Sequence, residues 1–260
     1  VTDDLEGRVA LVTGGTRGIG RGIAEALAAV GAQVLVCGRT PPADLPPGVA
    51  FRAADVRDPE AVRALFAHVT EAYGRLDLLV NNAGGSPAAD AATASPRFSR
   101  AVVELNLLAP LYCAQGAYAL MARQPDGGSI VNIGSVSGSR PSPGTAAYGA
   151  AKAGLASLTR SLAAEWGPAI RVNCLVVGLV LTDRSAAHYG DGDPAVQRAV
   201  AAAIPLGRFA EPADIAGPVL FLASPSARYV TGAELHVHGG GELPPHLQAA
   251  ESRADHPSVN

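Results

Sequence analysis

Lysine is almost missing from this chain. Of its 20 basic residues, 19 are arginine and one, Lys152, is lysine. Cysteine is also scarce. Cys37, Cys113 and Cys174 are odd in number and far apart, which excludes a disulfide framework and metal-ligand spacing and predicts reduced core or strand residues. Excess positive charge is absent: the net charge of -3 offers no basic field for nucleic acid and no polybasic membrane patch. The longest apolar run, residues 172–181, is interrupted by Asn173 and Gly178 and is too short to span a membrane. The first residues, Val1-Thr2-Asp3-Asp4, are acidic and polar, unlike a signal peptide, so a cytoplasmic location is expected.

Small residues are plentiful. The chain holds 30 glycines and is 48% hydrophobic but only 5% aromatic, a composition suited to close packing of helices on a sheet. Short apolar runs at 8–13, 33–37, 49–53, 76–80, 129–133, 170–176 and 234–237 read as buried strands. Helical patterns separate most of them. Pro59 and Pro212 each stand just inside a helix start, and a long helical region opens at Ser95-Pro96. Strands alternating with helices predict an α/β fold, a doubly wound parallel sheet (Rossmann fold) in a single domain over 1–241. A tail of low order is expected over 242–260.

The first strand runs into Gly14-Gly15-Thr16-Arg17-Gly18-Ile19-Gly20 and then an Ala-rich helix. Strand, glycine turn and helix together put backbone N–H groups and a helix N-terminus against a pyrophosphate. The second strand lacks the Asp or Glu that holds an NAD ribose. Gly38-Arg39-Thr40 stands there instead, and a guanidinium at that place would grip a 2′-phosphate. NADP(H) is therefore the preferred cofactor, with NAD(H) as the alternative. Pro41, Pro42, Pro46 and Pro47 predict a stiff loop after this strand. The third strand leads to Asp55-Val56, where the carboxylate could serve adenine or cap the next helix. Asn81-Asn82-Ala83-Gly84-Gly85 follows the fourth strand, at the edge where open α/β sheets bind ligands.

Two further features bear on chemistry. Pro110 has no N–H to give the Asn106 carbonyl four residues earlier, which predicts either a simple kink or a seat for an internal water. Tyr148 and Lys152 are four apart, hence on one helix face, and follow Ser135 at the end of the fifth strand. Lysine differs from arginine in being a compact charge with rotatable donors.

Taken in order, Thr13 to Gly20, Asn81 to Gly84, Asn106, Ser135 with Tyr148 and Lys152, and Gly178 with Thr182 resemble the short-chain dehydrogenase/reductase family over residues 5–241. The resemblance implies hydride transfer between a nicotinamide cofactor and a small carbonyl or alcohol. It makes Tyr148 the acid/base, Ser135 the donor to the substrate oxygen, and Lys152 the cation that lowers the Tyr148 pKa and holds ribose. Asn106 would anchor a water. Cofactor contacts are expected from Gly14, Thr16, Arg17, Gly18, Ile19, Gly20, Arg39, Asp55, Val56, Asn82, Ala83, Gly84, Tyr148, Lys152, Gly178, Val180 and Thr182. A lid is expected at about 182–205, and a homotetramer built on helices near 101–122 and 146–166. Val177 and His238 depart from the family pattern of Pro and Asp. Two alternatives are a 3-oxoacyl thioester (acyl-carrier-protein) reductase and a non-catalytic dinucleotide-sensing protein.

Overall fold

The computed structural model describes residues 5–182, 185 and 193–243. The expected lid therefore lies partly, and the tail mostly, outside the described residues, as do the four N-terminal residues.

The chain runs β1 (Val9–Thr13), α1 (Gly18–Ala29), β2 (Gln33–Gly38), β3 (Val49–Ala53), α2 (Pro59–Tyr73), β4 (Leu78–Asn81), α3 (Pro96–Val103), α4 (Ala109–Met121), β5 (Gly128–Ile133), α5 (Ala146–Trp166), β6 (Ile170–Val177), α6 (Pro194–Ala202), α7 (Pro212–Ala223) and β7 (Glu234–Val237). The seven strands form one sheet in the order β3-β2-β1-β4-β5-β6-β7, and every pairing is parallel. Successive strand residues point to opposite faces, so each strand feeds two cores. Val12, Val36, Val80 and Val131 pack with Ile23, Leu27, Ile215 and Val219 of α1 and α7. Leu11, Leu35, Leu79 and Ile130 pack with Leu65, Val69, Cys113 and Ala117 of α2 and α4. All three cysteines are free and buried.

The chain order reverses between β1 and β4, and crevices for ligands open at such a switch point, beyond the strand C-termini. The glycine turn after β1 and Asn82–Gly85 after β4 both stand there.

Some boundaries differ from the expectation. The fourth strand begins at Leu78, not Leu76, because the Gln124 side chain takes both the N–H and the C=O of Leu76, at 2.8 and 2.9 Å. The long helix opening at Pro96 is not continuous. A π-helical segment, Glu104–Leu108, separates α3 from α4, and within it the Ala109 N–H reaches back to Glu104. Pro110 stands one residue later, where a regular helix would have required its missing N–H. Of the two readings of Asp55, the cap is not met: Asp58 of Asp58-Pro59-Glu60 caps α2, as that sequence implies, accepting from Glu60 N–H at 2.9 Å. Glu242 and Leu243, expected in a loose tail, are tied into the fold: Glu242 pairs with Arg140, and the Leu243 N–H donates to Ala203.

Candidate active site

At the glycine turn, α1 begins at Gly18 with Arg17 as its extended N-cap, and no side chain caps its free N–H groups. Uncapped donors at a helix start suit a diphosphate. The turn packs so tightly that a Cβ at Gly20 would meet Gly14 O and Asn82 Nδ2, each at 2.4 Å. Gly14 has φ +64° and lies over Ala83. These residues fit a dinucleotide: the cradle is backbone-lined, and side chains would fill it.

Asn82 holds this cradle from the neighbouring strand. Its amide donates to Thr13 O at 2.9 Å and Gly14 O at 3.1 Å. Thr13 Oγ1 in turn accepts from the Asn82 and Ala83 N–H groups, both at 3.0 Å. Thr13 was not among the expected site residues. Its signal was present in the sequence, a hydroxyl at a buried strand end directly before the glycines.

Arg17 and Arg39 are both exposed at the expected adenosine end. Thr16 lies against Gly38, with its Cγ2 3.6 Å from the position a Gly38 Cβ would take, so the glycine turn and the Arg39 strand end adjoin. Asp55 is engaged by Arg57, whose Nε donates at 3.0 Å. That hydrogen bond, with Arg39 as a lesser charge, lowers the Asp55 pKa. Arg57 was missed because its partner is only two residues away and reads as ordinary helix-start polarity.

The side chain of Asn106 is fully buried and fully used. Its Oδ1 accepts from Gly85 N–H at 2.9 Å, and its amide donates to Gly85 O and Val102 O at 3.0 and 2.9 Å. Asn106 therefore clamps the loop after β4 against the π-helical segment. A Cβ at Gly84 would stand 2.8 Å from Asn106 Oδ1 and 3.4 Å from Lys152 Nζ, which brings the loop, the asparagine and the lysine to one point.

Ser135, Tyr148 and Lys152 also meet. The turn from Ser135 packs directly on α5: a Cβ at Gly138 would meet Ala153 N at 2.8 Å, and one at Gly149 would meet Ser137 O at 2.7 Å. This close fit sets Ser135 beside Tyr148, near enough for the serine to favour the ionised phenol. Lys152 is 5% exposed. Its Nζ donates to Ile133 O at 2.7 Å and lies 5.6 Å from the Tyr148 ring centre.

The electrostatics differ from the expectation. Burial raises the Tyr148 phenol above its ordinary value, and the neighbouring Ser135 side chain only partly opposes this. Burial also lowers Lys152 to about 8. Before cofactor and substrate bind, desolvation of both groups outweighs any help the lysine gives to tyrosinate. Beneath the pair, Asn81, Asn132 and Thr159 form a buried ladder. Asn81 donates to Asn132 Oδ1, and Asn132 to Thr159 Oγ1, each at 2.9 Å. Asn132 and Thr159 were also missed, having been read as strand and helix interior.

On the lid side, Ser185 Oγ accepts from Thr182 N–H at 2.8 Å and donates to Val180 O at 2.7 Å. Gly178 lies against His238, whose Cβ would be 2.6 Å from any Cβ added there.

A family model described as "Enoyl-(Acyl carrier protein) reductase" matches residues 14–242. The chain belongs to the short-chain dehydrogenase/reductase family. Members are oxidoreductases that use NAD(P)(H) and act on CH–OH or C=O groups. One relative is the 3-oxoacyl-(acyl-carrier-protein) reductase FabG of Vibrio cholerae, 37% identical over 91% of this chain and 98% of its own. Another is a 3alpha-hydroxysteroid dehydrogenase of Mediterraneibacter gnavus, 38% identical over 90% of this chain and 97% of its own. Among solved structures, ligand-free aldohexose dehydrogenase of Thermoplasma acidophilum superposes with a TM-score of 0.87 at 31% identity, over 92% of this chain and 95% of that one.

Proposed function

We propose that this short-chain dehydrogenase/reductase is an NADP(H)-dependent carbonyl reductase and secondary-alcohol dehydrogenase, with Tyr148 as the general acid/base. The observation that carries the reading is buried Lys152, its Nζ 5.6 Å from the Tyr148 ring centre and close against Gly84 of the loop that borders the uncapped glycine turn.

Each residue has its own task. The Ser135 hydroxyl donates to the substrate oxygen and fixes it near the phenol. The Tyr148 O–H gives its proton to that oxygen as negative charge grows there, and in the reverse direction tyrosinate takes it back. Burial of the phenol keeps it protonated and ready as an acid. Lys152 is positioned to stabilise tyrosinate and to hold ribose hydroxyls, and its rotatable donors suit two separate acceptors. Asn106 locks the Gly84–Gly85 loop that borders the lysine, while its main-chain carbonyl, freed by Pro110, seats a relay water. The nicotinamide, when bound, supplies the hydride.

Gly14, Thr16, Gly18, Ile19 and Gly20 would hold the diphosphate, and Asn82, Ala83, Gly84, Gly178, Val180 and Thr182 the nicotinamide half. Asp55 and Val56 would flank adenine. Arg17 and Arg39, exposed where β2 ends in Gly38 and not in an acid, favour NADP(H) over NAD(H). Exposed Tyr118 packs at a tilt against Trp166, ring centres 4.9 Å apart, across α4 and α5, which supports these two helices as a homotetramer face. The catalytic set is complete, which argues against a purely dinucleotide-sensing role.

An acyl-carrier-protein thioester is the second substrate reading, favoured by the Vibrio cholerae relative. Of Arg97, Arg100 and Arg140, the scattered arginines that could meet an acidic carrier, Arg140 is already paired with Glu242. A screen of ketones, oxoesters, sugars, steroids and a 3-oxoacyl thioester, followed by NADPH absorbance with NADH in parallel, tests the function. Oxidation of NADPH by at least one carbonyl supports it, and none across the panel contradicts it.

A further inference from the structure

The segments that follow β5, β6 and β7 converge on one ion pair. Arg140 belongs to the turn that starts at the catalytic serine: Gly138 N–H returns to Ser135 O at 2.9 Å, and Arg140 N–H to Val136 O at 3.1 Å. Its guanidinium donates to Glu242 Oε1 at 2.7 Å and to Pro141 O at 3.1 Å. Glu242 reaches it through Gly239, Gly240 and Gly241, with φ of +65°, +98° and +88°. Three consecutive positive φ values are tolerated only by glycine, so this exit from β7 is built into the sequence. Leu243 N–H then donates to Ala203 O at 2.8 Å, and Leu206 N–H donates to Gly239 O at 3.1 Å. Residues 239–243 thus tie the end of α6 to the Ser135 turn.

The charges give this tie a meaning. Beside 182–205, two segments would set specificity, 85–96 and 140–147, and these two are joined by the Ala89 N–H to Gly144 O bond at 2.8 Å. Arg140 is the one cation in their combined sequence. The Arg140 and Glu242 side chains are 40% and 25% exposed. An ion pair this exposed is weakly held and exchanges readily with a competing anion.

We propose that Arg140–Glu242 is a specificity latch of the substrate cleft. Glu242 occupies the only cation on those two segments and holds residues 239–243 down. The cleft therefore takes neutral carbonyl or alcohol substrates, and a carboxylate-bearing substrate binds only by displacing Glu242 from Arg140. This rests on the dehydrogenase reading for what the cleft is, but not for whether the latch exists.

The test is amide hydrogen exchange on the full NADPH-loaded chain, with 4-oxopentanoate and its methyl ester as probes. In Glu242→Gln, exchange at Leu243 and Leu206 should accelerate fivefold or more. The free acid should then protect the 136–140 turn in Glu242→Gln but not in the wild type. Adding Arg140→Gln should abolish that protection, while the ester should not distinguish the proteins. Unchanged exchange at Leu243 and Leu206 in Glu242→Gln would overturn the latch. So would equal protection of wild type and variant by the acid. Exchange reports on the latch without turnover, so an absence of NADPH oxidation by any carbonyl would count against the dehydrogenase reading alone.

Discussion

Lys152 Nζ spends its short hydrogen bond on the Ile133 carbonyl, 2.7 Å away, and not on the Tyr148 hydroxyl. The one lysine of the chain is thus anchored to the end of β5, buried, with the tyrosine ring beside it.

A buried ammonium is a stability cost. A Lys152 pKa lowered from 10.5 to about 8 corresponds to a penalty on the order of 3 kcal/mol. Its sign follows from proton counting. Between those two values the unfolded chain binds more protons than the folded one, so stability rises with pH across that window. Lys152→Met should be more stable than wild type by about 1–2 kcal/mol at pH 7, after loss of the Ile133 bond. The gap should shrink toward pH 10. Urea melts at pH 6, 7, 8, 9 and 10 check this, and a pH-independent gap or a destabilised variant would contradict it.

The raised Tyr148 pKa predicts opposite pH limbs for the two directions. Carbonyl reduction needs the neutral phenol and should hold level from acid through neutral pH, then fall as the phenol ionises. Alcohol oxidation needs phenolate and should climb with pH. Profiles of kcat/KM in both directions provide the check. Oxidation that is faster at pH 6 than at pH 9 would remove the phenol from the acid/base role.

Arg39 stands exposed at the end of β2 beside the glycine turn. Arg39→Ala should lower kcat/KM for NADPH by about tenfold to a hundredfold, the range for one charge-assisted hydrogen bond. NADH kinetics should stay within a factor of two or three. Equal losses for both cofactors would argue that Arg39 reads no phosphate.

Thr13→Val should leave the Asn82 and Ala83 N–H groups without their shared acceptor. A loss of about 1–3 kcal/mol in urea unfolding is expected, with a raised KM for NADPH because the same bonds hold the glycine turn. An unchanged variant would show that the Asn82 amide suffices by itself.

Much of the fold was legible because each strand announces itself by a short apolar run and each crossover by a glycine or proline boundary. The glycine turn, Asn106, Ser135, Tyr148 and Lys152 could be singled out because the chemistry proposed for them depends on residue type and spacing. Less visible were bonds between residues far apart in sequence. Thr13 acts on Asn82 through neighbouring strands, Asn132 on Thr159 through a strand and a helix, and Glu242 on Arg140 through three glycines. Local pattern carries no record of such partners. The protonation state was the other gap: a cation beside a tyrosine predicts a lowered phenol, but burial of both groups reverses it in the free chain.

The central claim, that Tyr148 passes the proton, is tested most directly by Tyr148→Phe assayed with NADPH and the best carbonyl from the screen. The phenylalanine keeps the ring beside Lys152 and removes only the hydroxyl. NADPH should still bind, with a Kd within about threefold by fluorescence titration, and kcat should fall by about a hundredfold to ten-thousandfold, the span of one general acid. A variant that binds NADPH and turns over at the wild-type rate would contradict the account.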